Sequence, residues 1–316
     1  MHVYPPPKQA LDIWLDPNAT IAKGVYGHLL LEQKAAIDDA LVGALRPYFE
    51  SAHLDARQHF HDELSIDLHP DADSRSTLAY PNCLPKTAKL GLFGEVMAGL
   101  VTEAYQADFV GGHAWRVPIF LFRKHGDVEN YLWSLKFDEE QVRAIFGRHG
   151  TDFIGISLGK TGEVIRLIVG EAKWRASLTD SVVAEILHGE KKKNKKTGVS
   201  RHNGRGVWNA FNRDAPIPRG LRQLQRLLEQ CDPDGHGAAI VSMDRAVATK
   251  TPFPRTDLLL ICGNGAKERE PGLVVVDHRD VPADYKAGND LQVVEVILEG
   301  GEALVEQLYS SLWEDE

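Results

Sequence analysis

Apolar residues recur at helical spacing along several stretches of the chain. Ile37, Leu41, Leu45 and Tyr48 stand three or four positions apart, which predicts a helix over 26–64, bent or broken at Pro47. A second helix is predicted over 87–107, with Thr87 as a candidate N-cap. Its apolar face holds Leu92, Phe93, Val96, Met97, Leu100 and Val101, and Glu95 lies beside that face. Residues 138–148, 177–190, 219–231 and 301–315 carry the same periodicity. Shorter apolar runs predict strands at 115–124, 152–158, 163–173, 238–243, 257–263, 273–278 and 291–298. Pro118 marks the first of these as an edge or a bulge. Residues 65–86 read as loop with one short strand, and the Pro-rich first residues give no clear pattern. The alternation implies an α/β fold, a mixed central sheet flanked by helices. Its expected partition is a mainly helical N-terminal extension, 1–86, followed by a main domain, 87–316.

Composition fits a globular protein: of 316 residues, 43% are hydrophobic and 26% charged. No apolar stretch approaches the roughly 20 residues of a membrane helix, and the first residues lack the basic-then-apolar order of a signal peptide. Cys83, Cys231 and Cys262 are scattered, which suits neither a disulfide framework nor a zinc site. A reduced, cytoplasmic setting without a membrane is expected. The net charge of −9 hides an island: residues 186–226 carry +9 and the remainder −18. Lys191, Lys192, Lys193, Lys195, Lys196, Arg201 and Arg205, in a basic loop over 189–206, are candidates for holding nucleic-acid phosphates. A solvated lysine loop is the plain alternative.

The stretch "TDFIGISLGKTGEVIRLIVGEAKWRA" (151–176) places an acid before one apolar run and Glu-Ala-Lys at the end of the next. Read as a hairpin with Lys160-Thr161 at its tip, it sets Asp152 opposite Val169. Alternation then puts Asp152, Glu171 and Lys173 on one face, the two carboxylates being diagonal neighbours about 7–8 Å apart. A slip of one residue would separate them. Two such carboxylates suit Mg²⁺, with Mn²⁺ as a substitute. The cation would acidify a water and neutralise a phosphoryl oxygen, and the lysine would position the nucleophile or stabilise the developing anion. The plain alternative is a strand-end salt bridge.

This arrangement resembles the restriction-endonuclease-like, or PD-(D/E)xK, nuclease superfamily. The matching residues are Glu95 on the first core helix, Asp152 on the second strand, and Glu171 and Lys173 on the third. The resemblance implies a core over 87–190 in which Asp152, Glu171 and the Ala172 carbonyl bind the metal and Lys173 serves catalysis. Glu95 would orient a water or a second metal. Thr151 stands where the motif often has proline. Within the superfamily, "GTDFIGISL…LIVGEAKWRASLTDSVVAEIL" looks like the HamA-like nuclease subunits of Hachiman-type bacterial anti-phage systems. That likeness implies DNA as substrate and a helicase as partner.

Other signals are weaker. His59, His61 and His69 lie among aspartates but are expected to face solvent. "LGKTG" lacks the glycine spacing of a phosphate loop and reads as a turn, as does "GNGAKE". Trp115, Trp133, Trp174 and Trp208 are expected in packing, with Trp174 and Trp208 close enough to the proposed site and basic island to serve as base platforms. "VSRHNGRGVWNAFNR" reads as a surface loop or a DNA contact. No G-x-S-x-G elbow is present. The rival expectation is a catalytically silent nuclease-fold subunit that binds DNA or regulates a helicase.

Overall fold

Consecutive apolar residues become the middle of one six-stranded sheet. The computed structural model describes residues 1–65, 80–81, 84–122, 152–193, 198–214, 217–218, 220–276 and 279–314. The sheet contains β1 (Leu15–Lys23), β2 (Tyr26–Gln33), β3 (Phe153–Leu158) and β4 (Val164–Leu178). Next in the chain, β5 (Lys191–Lys193) and β6 (Ser200–His202) form a separate antiparallel ribbon. Strands β7 (Arg255–Gly265) and β8 (Asp290–Leu298) complete the large sheet, whose order is β1-β2-β8-β7-β4-β3. The four inner strands are parallel, while β1 and β3 pair antiparallel at the edges. Inner parallel strands are covered on both faces and so read as unbroken apolar runs. Leu258, Leu259, Leu260, Ile261 and Cys262 are accordingly all buried.

Among the described residues eight helices flank this sheet: α1 (Lys8–Trp14), α2 (Asp39–Ser65), α3 (Lys86–Ala104), α4 (Asp180–His188), α5 (Val207–Arg213), α6 (Leu221–Cys231), α7 (Gly237–Thr249) and α8 (Gly301–Ser311). One face of the sheet, carrying Leu29, Leu31, Ile168, Leu258 and Val294, packs on α1, α2, α3 and α8. The other face is shared by two clusters. Helices α4 and α5 cover Leu30, Leu259, Ile261 and Val293, while α6 and α7 cover Ile154, Ile156, Leu167 and Val169. None of the described helices is long and apolar enough to cross a membrane.

The structure corrects several expectations. Residues 26–33 are strand β2, not the start of a helix, because Leu29, Leu30 and Leu31 are all buried between β1 and β8. Residues before 87 therefore supply two strands of the main sheet as well as helices. Helix α2 begins at Asp39 and continues through Pro47. Thr87 lies inside α3, with Pro85 at the N-cap position. Residues 115–122 make only isolated bridges along β3, Arg116 with Ile156 and Phe120 with Phe153. The 238–243 run belongs to α7. The 273–276 run is irregular because its backbone is spent on a buried carboxylate: Val275 and Val276 N–H donate to Glu295 at 2.8 and 2.7 Å. His28 Nε2 approaches the same carboxylate at 3.1 Å, and Thr20 Oγ1 meets His28 Nδ1 at 2.5 Å. The predicted helix at 138–148, most of the 65–86 loop, and Lys195, Lys196, His69, Cys83 and Trp133 lie outside the described residues.

Candidate active site

The site is built by the β3–β4 hairpin. Its turn closes through Gly159 N–H to Glu163 O at 2.8 Å and Gly162 N–H to Gly159 O at 3.1 Å. The turn and a bulge between Ser157 and Leu158 shift the ladder. Ile154 faces Val169 and Phe153 faces Gly170, two residues away from the predicted register. An even shift preserves the faces of both strands. It also improves the site, since the next step of the ladder sets Asp152 directly against Glu171. Asp152 N–H donates to Gly170 O at 2.9 Å and fixes that step.

The three predicted residues come together. Lys173 Nζ donates to Glu171 Oε2 at 2.7 Å and to Asp152 Oδ2 at 3.4 Å. Ala172 N–H donates to the same Asp152 oxygen at 2.7 Å. Side-chain exposure is 10% for Asp152, 13% for Glu171 and 29% for Lys173, so the carboxylates are recessed and the ammonium is reachable. Burial by itself would lower the Lys173 pKa. The charges of Asp152 and Glu171, with Glu95 contributing, outweigh it and hold the ammonium above the ordinary lysine range.

Glu95 approaches from the other layer. Gly94 of α3 faces Ala172 and Trp174, the alternate positions of β4, whereas Glu171 and Lys173 continue the face of Leu167 and Val169. Glu95 is buried within α3 at 4% exposure, and its charge reaches both Lys173 and Tyr309. Trp115, Trp174 and Trp208 are packing residues. Trp174 stands edge-on to Phe93, Trp208 lies among Phe211 and Tyr285, and Trp115 is buried.

Among the described residues no group of three or more His, Cys, Asp or Glu forms a metal-ligand set. The donors available at the hairpin are the Asp152 and Glu171 carboxylates and the Ala172 peptide. An all-oxygen, anionic pair suits a hard divalent cation with waters completing its shell, so the residues fit Mg²⁺ in type.

The basic residues lie just beyond. Thr179 caps α4 through Val182 N–H, and the chain then turns at Gly189 into the ribbon. Lys192 pairs across it with Arg201, and Lys191 with His202. Lys191, Lys192, Lys193, Arg201 and Arg205 are all exposed. Like charges opposite one another oppose ribbon formation, and bound anions would relieve that repulsion. Sequence reasoning passed over two buried polar chains. One is Thr20–His28–Glu295, and the other joins His53 to the hydroxyls of Tyr80 at 2.9 Å and Tyr309 at 3.0 Å. Their members are far apart in the chain, so no local spacing announces them. No protein-family model matches this chain, and no curated protein matches it.

Proposed function

We propose that the chain is a metal-dependent nuclease of the PD-(D/E)xK kind that hydrolyses phosphodiester bonds of DNA. The observation that carries this reading is the pair of recessed carboxylates on adjoining strands, bridged by the single ammonium of Lys173. Asp152 and Glu171 would hold Mg²⁺ or Mn²⁺, with the Ala172 carbonyl beside them. Such a cation, when bound, supplies an acidified water and neutralises charge on a phosphoryl oxygen. Lys173, released from Asp152, would hydrogen-bond the attacking water or the developing anion. Glu95 would help keep Lys173 protonated and orient water from the helical layer. Lys191–Lys193, Arg201 and Arg205, with Lys195 and Lys196, would hold phosphates along the strand. The resemblance to Hachiman nucleases extends the proposal to a cytoplasmic effector subunit of an anti-phage complex, restrained by a helicase partner.

The test is cleavage of supercoiled and linear DNA with Mg²⁺ or Mn²⁺. Wild type is compared with Glu171→Ala and Lys173→Ala, alone and with any co-purifying helicase. Cleavage confined to wild type supports the site, and cleavage that survives in both variants overturns it. A second reading, a silent DNA-binding subunit, draws on the same geometry, because Lys173 already satisfies both carboxylates. It predicts DNA retention with no cleavage under either metal.

A further inference from the structure

We propose that the cleft at the base of the basic ribbon binds a single nucleotide, with adenine as the preferred base. It takes this nucleotide from an unpaired position of a bound strand or as a free mononucleotide. The first source rests on the nucleic-acid reading above, and the second does not.

The cleft has a volume of about 500 Å³ and lies between the end of α4, the foot of the ribbon, α5 and the 284–286 segment. That volume is within the range of small-molecule sites. Leu187, His188, His202, Trp208, Asn209 and Lys286 line it. Its walls are fixed. Gly189 has φ +86, and a Cβ there would lie 2.8 Å from Arg205 N and 3.0 Å from Gly206 N, so the two stems of the ribbon cross at backbone contact. Asn203 N–H donates to Glu190 O at 2.9 Å just above the crossing. On the opposite wall Asn212 Nδ2 donates to Asp284 O at 2.7 Å and accepts from Lys286 N–H at 2.6 Å, pinning that segment to α5.

The lining chemistry suits a flat heterocycle carrying a phosphate. The His188 and His202 rings, 5.7 Å apart, offer π-faces for an unpaired base. His202 Nδ1 is committed to Gly189 O at 2.6 Å, which leaves Nε2 for a ligand. Asn209 presents a donor and an acceptor on one amide, the complement of adenine N7 and its amino group. Lys286 and the neighbouring Lys191, Lys192, Lys193, Arg201 and Arg205 supply positive charge. Among the described residues the Asp284 carboxylate, 3.6 Å from His188 Nδ1, is the one acidic group lining the cleft, and it sits at the exposed rim.

The cleft is joined to the hairpin site through the sheet. Glu171 and Lys173 stand beside Leu259 and Ile261 of β7 in the parallel ladder. Those two residues pack on α4 and α5, the helices that wall the cleft. A strand lying over the carboxylates therefore has its neighbouring nucleotides on the same face as the cleft.

The experiment is binding in EDTA, so that cleavage plays no part. AMP is titrated by calorimetry. A fluorescein-labelled oligo-deoxyadenylate and its abasic counterpart are titrated by anisotropy. Wild type, Asn209→Ala and Lys286→Ala are compared; the first position is half-buried and the second exposed, so neither substitution removes core. The expected result is that the base-bearing strand or AMP binds wild type about tenfold more tightly than Asn209→Ala, the worth of one amide–adenine pair. The abasic strand is expected not to distinguish the two. AMP binding that depends on Asn209, with no strand binding, supports the cleft while removing the nucleic-acid reading. Equal binding of base-bearing and abasic strands by all three proteins, with no AMP binding, overturns the cleft and leaves the ribbon's phosphate contacts standing. No binding of any probe overturns both.

Discussion

Gly170→Ala adds one methyl group behind the site, and the structure says where it must go. A Cβ at Gly170 would lie 1.9 Å from Phe153 Cε1, 2.6 Å from Cδ1 and 2.8 Å from Cζ. Non-bonded carbons rest about 3.5–4.0 Å apart, so the ring has to retreat by roughly 1.6 Å or more. Phe153 is fully buried and has no solvent to retreat into. A cost of about 3 kcal/mol follows, at the upper end for a methyl forced into a packed core. At a few degrees per kcal/mol, Tm falls by roughly 6–12 °C. The same movement reaches the carboxylates, because Phe153 adjoins Asp152 and the Gly170 carbonyl accepts the Asp152 N–H. The assay is thermal unfolding of Gly170→Ala, Phe153→Leu and the double variant. Leucine vacates the outer ring positions, so the double variant should be about 1–2 kcal/mol more stable than additivity predicts. A Gly170→Ala protein that melts with wild type, or strict additivity, would refute the reasoning.

Lys173→Met keeps the aliphatic stem and removes the ammonium from between two carboxylates, at a cost of about 2 kcal/mol for this partly exposed cluster. Millimolar Mg²⁺ should raise the Tm of the variant more than that of wild type, and an equal rise in both would contradict a shared cation site. Because the folded Lys173 pKa is raised, its contribution is whole below the ordinary value of 10.5 and is lost as pH climbs through the folded value. The stability gap between wild type and variant should therefore stay constant from neutral pH upward and close only in strong alkali. Replacing Lys191, Lys192 and Lys193 together by alanine should flatten the slope of log affinity for DNA against log salt by about 2–3; an unchanged slope would place the ribbon off the phosphates. His53 is buried, which lowers its pKa from 6.5 to about 3. Its contribution is whole above 6.5 and is lost as pH falls toward 3, at up to about 1.4 kcal/mol per pH unit. His53→Gln should flatten that stretch of the stability curve, and parallel curves would show that another group sets it.

Elements with one plain signal were legible in the sequence. Helices α3, α4, α6 and α8 show apolar spacing, and β3, β4, β7 and β8 are apolar runs bounded by turn residues. The failures share a cause. "HLLLEQ" and "AAIVSM" are short apolar runs whose periodicity fits a buried strand or a buried helix equally. The first became β2 because β1 and β8 cover its two edges, and the second became α7 because it packs on the hairpin layer beside α6. "LVVV" has every local mark of a strand, yet the N–H groups of Val275 and Val276 go to Glu295, about twenty positions away in the chain. The gathering of Asp152, Glu171 and Lys173 was legible because strand parity tolerates an even error in register. The cleft was not, since His188, Asn209 and Lys286 come from three segments with no common spacing.

Strand β2 is made early and completed late. It ends at Gln33, and its inner neighbour β8 begins at Asp290, about 260 residues further on. At roughly 5–20 residues per second, a ribosome takes about 13–50 s to cover that distance. Through that interval the β1–β2 hairpin has an open apolar edge, and when β7 emerges it has one too. Strand β8 then enters between them and closes both. The last join of the sheet is thus made at its centre, and sequence changes that slow the docking of residues 290–298 should cost yield in the cell through edge-to-edge aggregation even where the finished protein is stable.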